Sequence, residues 1–238
     1  MSARGPIIGL VVVVVLGAGV VVADRVAAAE AENRAVEAIE QNLDVEGTPD
    51  VTIDGFPFLT QLLRGSLKEV TGTVDGMTLD GIDATDVEVE ARDVSTSEPY
   101  TVGTGSIAAT LPTASIEKVV ADRTDLDVQV AVEGGALKAS GQVLGLTLSA
   151  TLTPRVEDGR LLVDVGGLQL AGLTITVDDL PASIRTRLTD LEVPVSGLPE
   201  GLVLSDATVV TDGVRITATG TDVTVPLEQS PSGTSTSR

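Results

Sequence analysis

Alternation with a period of two is the strongest constraint on the fold of this chain. After Gly65, aliphatic residues recur at every second position and polar or small residues lie between them. Each segment is short and is bounded by a glycine-containing turn signal, which predicts antiparallel strands with one covered and one solvated face. The segments are Val87–Val89, Leu126–Val132, Leu144–Leu152, Leu161–Val165, Leu173–Val177 and Val214–Ala218, and the turn signals are Asp75-Gly76, Glu133-Gly134-Gly135, Asp158-Gly159 and Asp212-Gly213.

Helices interrupt this pattern at intervals. An alanine-rich segment, Asp24–Leu43, has Asp24 as a candidate cap and an apolar stripe formed by Val26, Ala29, Val36, Ile39 and Leu43. Three shorter helices are predicted at Phe58–Leu63, Thr113–Ala121 and Asp179–Asp190. The order of elements predicts an α+β fold, a long antiparallel meander with inserted helices.

The N-terminus carries a different signal. Ile7–Ala23 is an uninterrupted apolar run preceded by Arg4, and it ends in small residues. The basic flank predicts that the N-terminus lies on the cytoplasmic side of the membrane and everything after Asp24 lies outside. Two interpretations stay open, an uncleaved transmembrane anchor and a cleaved signal peptide. The expected organisation is this segment at 1–23, an α+β domain at 24–227 and a disordered polar tail at 228–238.

Charge and absent residue types exclude several classes of function. The net charge is −20, so no basic footprint for nucleic acid exists, and general attraction to anionic membranes is also excluded. Without cysteine or histidine, the chain cannot build a disulfide framework or a Ser-His-Asp site. The acidic cluster Asp86, Glu88 and Glu90 is typical of a solvated strand face. We therefore expect no metal, no cofactor and no enzymatic activity.

The segment Val51–Gly65, VTIDGFPFLTQLLRG, changes from strand to helix. Val51 and Ile53 alternate with polar residues, Gly55 and Pro57 break the strand, and a short apolar helix ends at Gly65. Both phenylalanines of the protein, Phe56 and Phe58, lie in this segment. By itself, the pattern indicates a hydrophobic anchor for a core.

Two motifs in this chain carry a family resemblance. GFPFLTQLLRG, preceded by Pro49, Val51 and Ile53, and LPEGLVLSDATVVTDGVRITATGTDVTV at Leu198–Val225 resemble the signatures of the LmeA family of actinobacterial cell-envelope proteins. The resemblance extends over roughly Ala23–Leu227. It implies phospholipid binding, a role in maintaining mannose-containing lipoglycans, and a fold like half of a tubular lipid-binding domain, in which a long curved antiparallel sheet wraps around a helix.

Because of this resemblance, the Val51–Gly65 segment is a candidate lipid-binding site. Aliphatic sheet faces closed by amphipathic helices can enclose acyl chains, although composition alone favours a filled core. The hypothesis is an apolar groove with cations at its mouth that bind a phospholipid phosphate, with an anionic headgroup as one variant. Its lipid-binding residues are Phe56, Phe58, Leu59, Leu62, Leu63, Arg64 and Lys68.

This interpretation places the domain on the extracytoplasmic side, anchored in the plasma membrane or secreted into the cell envelope. Two alternatives stay open. One is a non-catalytic envelope scaffold with a filled core, and the other is an enzyme that modifies envelope lipids or glycolipids.

Overall fold

The chain forms a mostly β structure with three described helices. The computed structural model describes residues 4–79, 81–124, 128–143, 146–176, 191–193 and 198–224. The elements, in order, are α1 (Arg4–Asn42), β1 (Asp44–Glu46), β2 (Asp50–Asp54), α2 (Phe58–Arg64), β3 (Ser66–Leu79), β4 (Ile82–Ser95), β5 (Thr101–Pro112), α3 (Thr113–Thr124), β6 (Val128–Glu133), β7 (Ala136–Val143), β8 (Leu146–Glu157), β9 (Arg160–Leu170), β10 (Leu173–Thr174), β11 (Leu191–Val193), β12 (Glu200–Val210) and β13 (Gly213–Thr224).

The described strands divide between two antiparallel sheets, whereas the sequence predicted one long meander. The large sheet has the order β1-β3-β4-β5-β13-β12, with β2 also paired to β3, and the small sheet has the order β10-β9-β8-β7-β6, with β11 also paired to β9. Chain order alone suggests one meander, but the terminal hairpin β12–β13 returns to pair with β5. The antiparallel α+β class is confirmed.

Most of the predicted turns are confirmed, and one is wrong. Asp158 and Gly159 both have positive φ, 51° and 73°, and join β8 to β9 in a two-residue hairpin turn. Asp75-Gly76, in contrast, lies inside β3, where Gly76 pairs with Glu46 of β1 and Thr85 of β4. A side chain at Gly76 would crowd the Ala84 carbonyl oxygen at 3.3 Å, so this glycine serves close strand packing rather than a turn.

The main hydrophobic core lies between the two sheets and is aliphatic. It is filled from both sides by side chains of β5, β12 and β13 in the large sheet and of β6, β7 and β9 in the small sheet. We call it the inter-sheet core. Its buried members are Val102, Val130, Leu137, Leu161, Leu202, Leu204, Ala207, Val214, Ala218 and Val223.

Helix α1 packs against β1, β2 and α2, at the end of the large sheet away from β12. It continues through Asp24 without a break, so the prediction that Asp24 caps a helix start is wrong. The predicted stripe is also wrong in part, because Val26 and Leu43 are exposed. The packed face instead runs through Asp24, Ala28 and Glu32, four residues apart, because small alanines allow close approach and the two carboxylates find backbone amides.

No helix in the described part of the chain is both long enough and apolar enough to cross a membrane. The N-terminal anchor or signal segment therefore stays a prediction. The predicted helix Asp179–Asp190 and the tail at 228–238 lie outside the described residues.

Candidate functional site

The strand-to-helix transition forms as the sequence predicted. Strand β2 ends at Asp54, Gly55 turns the chain at φ 103°, and α2 ends at Gly65 in the left-handed conformation. A side chain at Gly55 would lie 2.7 Å from Nε2 of Gln61, so only glycine fits this turn without displacing the glutamine. We call residues 54–68 the α2 corner.

A carboxylate from α1 caps the start of α2. Oδ2 of Asp24 accepts a hydrogen bond from the Phe58 amide at 2.9 Å, and Oδ1 accepts one from the Leu59 amide at 2.8 Å. Pro57, at the N-cap position, supplies no side-chain cap. Asp24 is only 1% exposed, and its negative charge satisfies two amides at the positive end of the helix dipole. The cap therefore ties α1 to α2.

Two further polar side chains hold the corner in place. Glu32 of α1 accepts a hydrogen bond from the Ile53 amide at 2.8 Å. The buried Gln61 accepts one from the Lys68 amide at 2.8 Å and donates one to the Asp54 carbonyl oxygen at 3.3 Å. These contacts link α1, β2, α2 and the start of β3 into one unit.

The apolar side chains of the corner are divided between core and surface. Phe58 packs with Ala28 and Ile53 in a second, smaller cluster, which we call the helix core. Leu62 and Leu63 follow Leu59 by three and four residues, on another side of α2, and all three are exposed. Phe56 is also exposed, and Leu63 is 89% exposed. The predicted residues are thus brought together, with Phe58 turned toward the helix core and the others toward the outside.

Among the described residues, no carboxylate forms an ion pair with the cations at this corner. The guanidinium of Arg25 lies 5.3 Å from the centroid of the Phe56 ring, in a cation–π contact. Arg64 and Lys68 are exposed, and neither pairs with a carboxylate in the part of the chain that the structure describes. Elsewhere, carboxylates bind Arg34, Arg92, Lys138, Arg155 and Arg215. The corner therefore presents positive charge that no described carboxylate pairs with, on an acidic protein.

An open apolar surface lies beside the corner on the covered face of the large sheet. Val51, Gly72 and Val89 are register partners across β2, β3 and β4. Ile107 of β5, the register partner of Val89, packs against the inter-sheet core. The neighbouring row of register partners, Ile53 and Val70, is covered by the helix core. Val89 stays 38% exposed between the two cores. We call Val51, Gly72 and Val89 the open strip.

The opposite face of the large sheet is polar. It holds an open depression of about 360 Å³. Charged and hydroxyl side chains with two glycines line it: Glu90, Arg92, Thr104, Gly105, Ser106, Thr219, Gly220 and Thr221. In the described ranges, no cluster of three or more acidic residues is placed to hold a metal ion. The face suits solvent better than acyl chains.

Sequence reasoning missed three features of this site: the cap from Asp24, the position of Arg25 and the open strip. The sequence did hold a signal for the first, because Asp24 is a lone carboxylate between an apolar run and an alanine-rich helix. It held none for the strip, because alternation predicts which residues share a sheet face but not which part of that face is covered.

The chain belongs to the LmeA-like phospholipid-binding family, whose model matches residues 22–219. The matched range contains the α2 corner, the open strip, the small sheet and the large sheet up to the middle of β13. No curated protein and no solved structure matches the chain.

Proposed function

We propose that this protein binds a phospholipid, with its acyl chains along the open strip and its phosphate at the α2 corner. Membership of a phospholipid-binding family supports the ligand class. The single observation that carries the location is Val89, an exposed aliphatic residue on a sheet face whose two flanks are buried in separate cores.

The strip has dimensions suited to hydrocarbon. Three adjacent strands at a spacing of about 4.8 Å make it roughly 10 Å wide from Val51 to Val89. Gly72, in the middle, has no side chain, so the surface of the strip is recessed at this position. An acyl chain would cover apolar surface that the protein leaves in water, and each Å² removed contributes about 25 cal/mol.

The corner would supply the mouth of the site. Leu59 and Leu62 continue the apolar surface, with Phe56 and Leu63 at its outer edge, and Phe58 supports them from the helix core. Arg64 and Lys68, which have no carboxylate partner among the described residues, would bind the lipid phosphate. A phosphate between them would gain charge-assisted hydrogen bonds without first breaking an ion pair.

The wider role follows from the N-terminal segment and the family. We place the domain outside the plasma membrane, anchored or secreted, as a non-catalytic protein that supports envelope lipid or lipoglycan maintenance. We also retain the expectation that the large sheet and α1 correspond to half of a tubular lipid-binding domain.

Replacing Val89 by glutamate tests the location of the acyl chains. A carboxylate on the open strip faces hydrocarbon, so the amount of phospholipid that co-purifies with the full-length protein should fall by roughly tenfold or more, which corresponds to about 1.4 kcal/mol. Lipid is extracted and quantified by mass spectrometry. The matched control is Val203→Glu, an exposed valine on the polar face of the same sheet.

The two possible failures differ in what they show. Equal lipid in both variants and the parent would reject the open strip while leaving phospholipid binding intact. Absence of co-purifying phospholipid from the parent protein would reject the function and favour an envelope scaffold.

A further inference from the structure

We propose that the α2 corner is a docking surface for a phospholipid bilayer. This inference rests on the proposed function and adds to it the place where lipid is exchanged with the membrane. It assigns the exposed side chains of the corner to the bilayer and leaves the open strip to a single bound lipid.

The first argument is the amount of unpaired apolar surface. Leu63 is 89% exposed, and Phe56, Leu59 and Leu62 lie beside it on the same corner. A contiguous exposed apolar surface of this kind is typical of an interaction site.

The second argument is charge. The chain carries a net charge of −20, which opposes association with an anionic bilayer everywhere except where cations are free. Arg25, Arg64 and Lys68 lie around the apolar surface, and no carboxylate of the described residues neutralises them. Aliphatic and aromatic side chains surrounded by free cations match the acyl boundary and phosphate layer of a membrane.

The third argument is rigidity. Asp24 and Glu32 fasten α1 to α2 and β2 through backbone amides, so the leucines of α2 are held in one fixed arrangement. The row through Ile53 and Val70, which the helix core covers, lies directly beside the open strip. A lipid that leaves the bilayer at the corner would therefore have a short path to the strip.

A single introduced tryptophan reports contact with the bilayer, because the chain contains none. Leu63→Trp is compared with Leu173→Trp, which replaces a leucine of the small sheet that is 72% exposed. Each full-length variant is mixed with vesicles of phosphatidylcholine and phosphatidylglycerol, with and without bromine on the acyl chains. Tryptophan at position 63 should shift its emission to shorter wavelength and lose most of its intensity to bromine, whereas tryptophan at position 173 should change in neither respect.

Charge reversal tests the cationic part of the surface. Arg64→Glu combined with Lys68→Glu, in the Leu63→Trp background, should abolish most of the quenching on vesicles that contain phosphatidylglycerol. Arg34→Glu, on the outer side of α1, alters the net charge without touching the corner and should leave the quenching unchanged. Added salt should weaken the parent signal, because it screens exposed charges.

Three outcomes would overturn the proposal. Equal quenching at both positions would mean that the protein inserts without orientation, and no quenching at either would mean that the corner does not reach the bilayer. A blue-shifted tryptophan at position 63 without vesicles, accompanied by self-association in sedimentation, would make the surface a protein interface. The Val89→Glu variant separates the two proposals, since it should lose bound phospholipid and keep the quenching.

Discussion

The inter-sheet core and the α2 corner are stabilised by different kinds of interaction. The inter-sheet core buries ten aliphatic residues from two sheets. The helix core buries only Ala28, Ile53 and Phe58, and the polar side chains of Asp24 and Gln61 are buried beside it. One region is held by apolar area, and the other by directed hydrogen bonds.

The difference explains how apolar side chains can remain outside at the corner. A helix as short as α2 is not stable alone and normally requires its leucines for packing. Here the cap from Asp24 and the contacts of Gln61 fasten the helix instead, so Leu59, Leu62 and Leu63 stay exposed. Because hydrogen bonds hold α2 in place, its exposed leucines remain available to a ligand.

The largest effect is expected in the inter-sheet core. Leu204→Ala removes a side chain that is 5% exposed and leaves a cavity between the sheets, so the free energy of unfolding should fall by about 3 kcal/mol. Urea denaturation measures this change, and Val203→Ala, at the exposed neighbouring position, should alter stability by less than about 0.5 kcal/mol. Similar values for the two variants would show that the core is not tightly packed.

A smaller but localised effect is expected at the cap. Asp24→Ala leaves the Phe58 and Leu59 amides without an acceptor and should cost about 2 kcal/mol, with faster hydrogen exchange confined to the corner. Asp24→Asn retains one acceptor oxygen and should lose less. If Asp24→Ala were as harmless as Glu30→Ala on the exposed side of α1, apolar packing rather than hydrogen bonding would hold the corner.

The smallest effect is expected at an exposed ion pair. A hydrogen bond from Lys138, reinforced by its positive charge, holds the pKa of Glu133 below its ordinary value. The pair therefore contributes stability above the ordinary pKa, and this contribution is lost as pH falls through the lowered pKa. Lys138→Met should raise the pKa of Glu133 in an NMR titration with little change in stability, since exposed pairs contribute little. A large loss of stability would contradict the distinction between buried and exposed polar contacts.

Much of the local structure could be predicted from the sequence. Period-two alternation placed the strands around Val87, Leu161 and Val214, and the turn at Asp158-Gly159 formed as expected. The change from strand to helix at Gly55 and the helix end at Gly65 were also predicted. These features depend on neighbours in sequence, since glycine permits positive φ and alternation follows the pleat.

The errors arose where distant segments meet. Asp75-Gly76 has the composition of a turn, but pairing with both β1 and β4 keeps it in β3. The stripe through Val26 has helical spacing, yet α1 turns its alanines inward because Asp24 and Glu32 reach amides of α2 and β2. The division into two sheets depends on the return of β13 to β5.

The sequence by itself determined the strand-rich antiparallel class, the position of the α2 corner and the family, because alternation, glycine breaks and motif order are local properties of the chain. Only the tertiary structure decided which apolar residues stay exposed. Phe58 and Leu63 are both apolar in sequence, but Phe58 packs with Ala28 of α1 while Leu63 stays 89% exposed. Whether a side chain is buried depends on the residue that packs against it, and here that residue lies some thirty positions away in the chain.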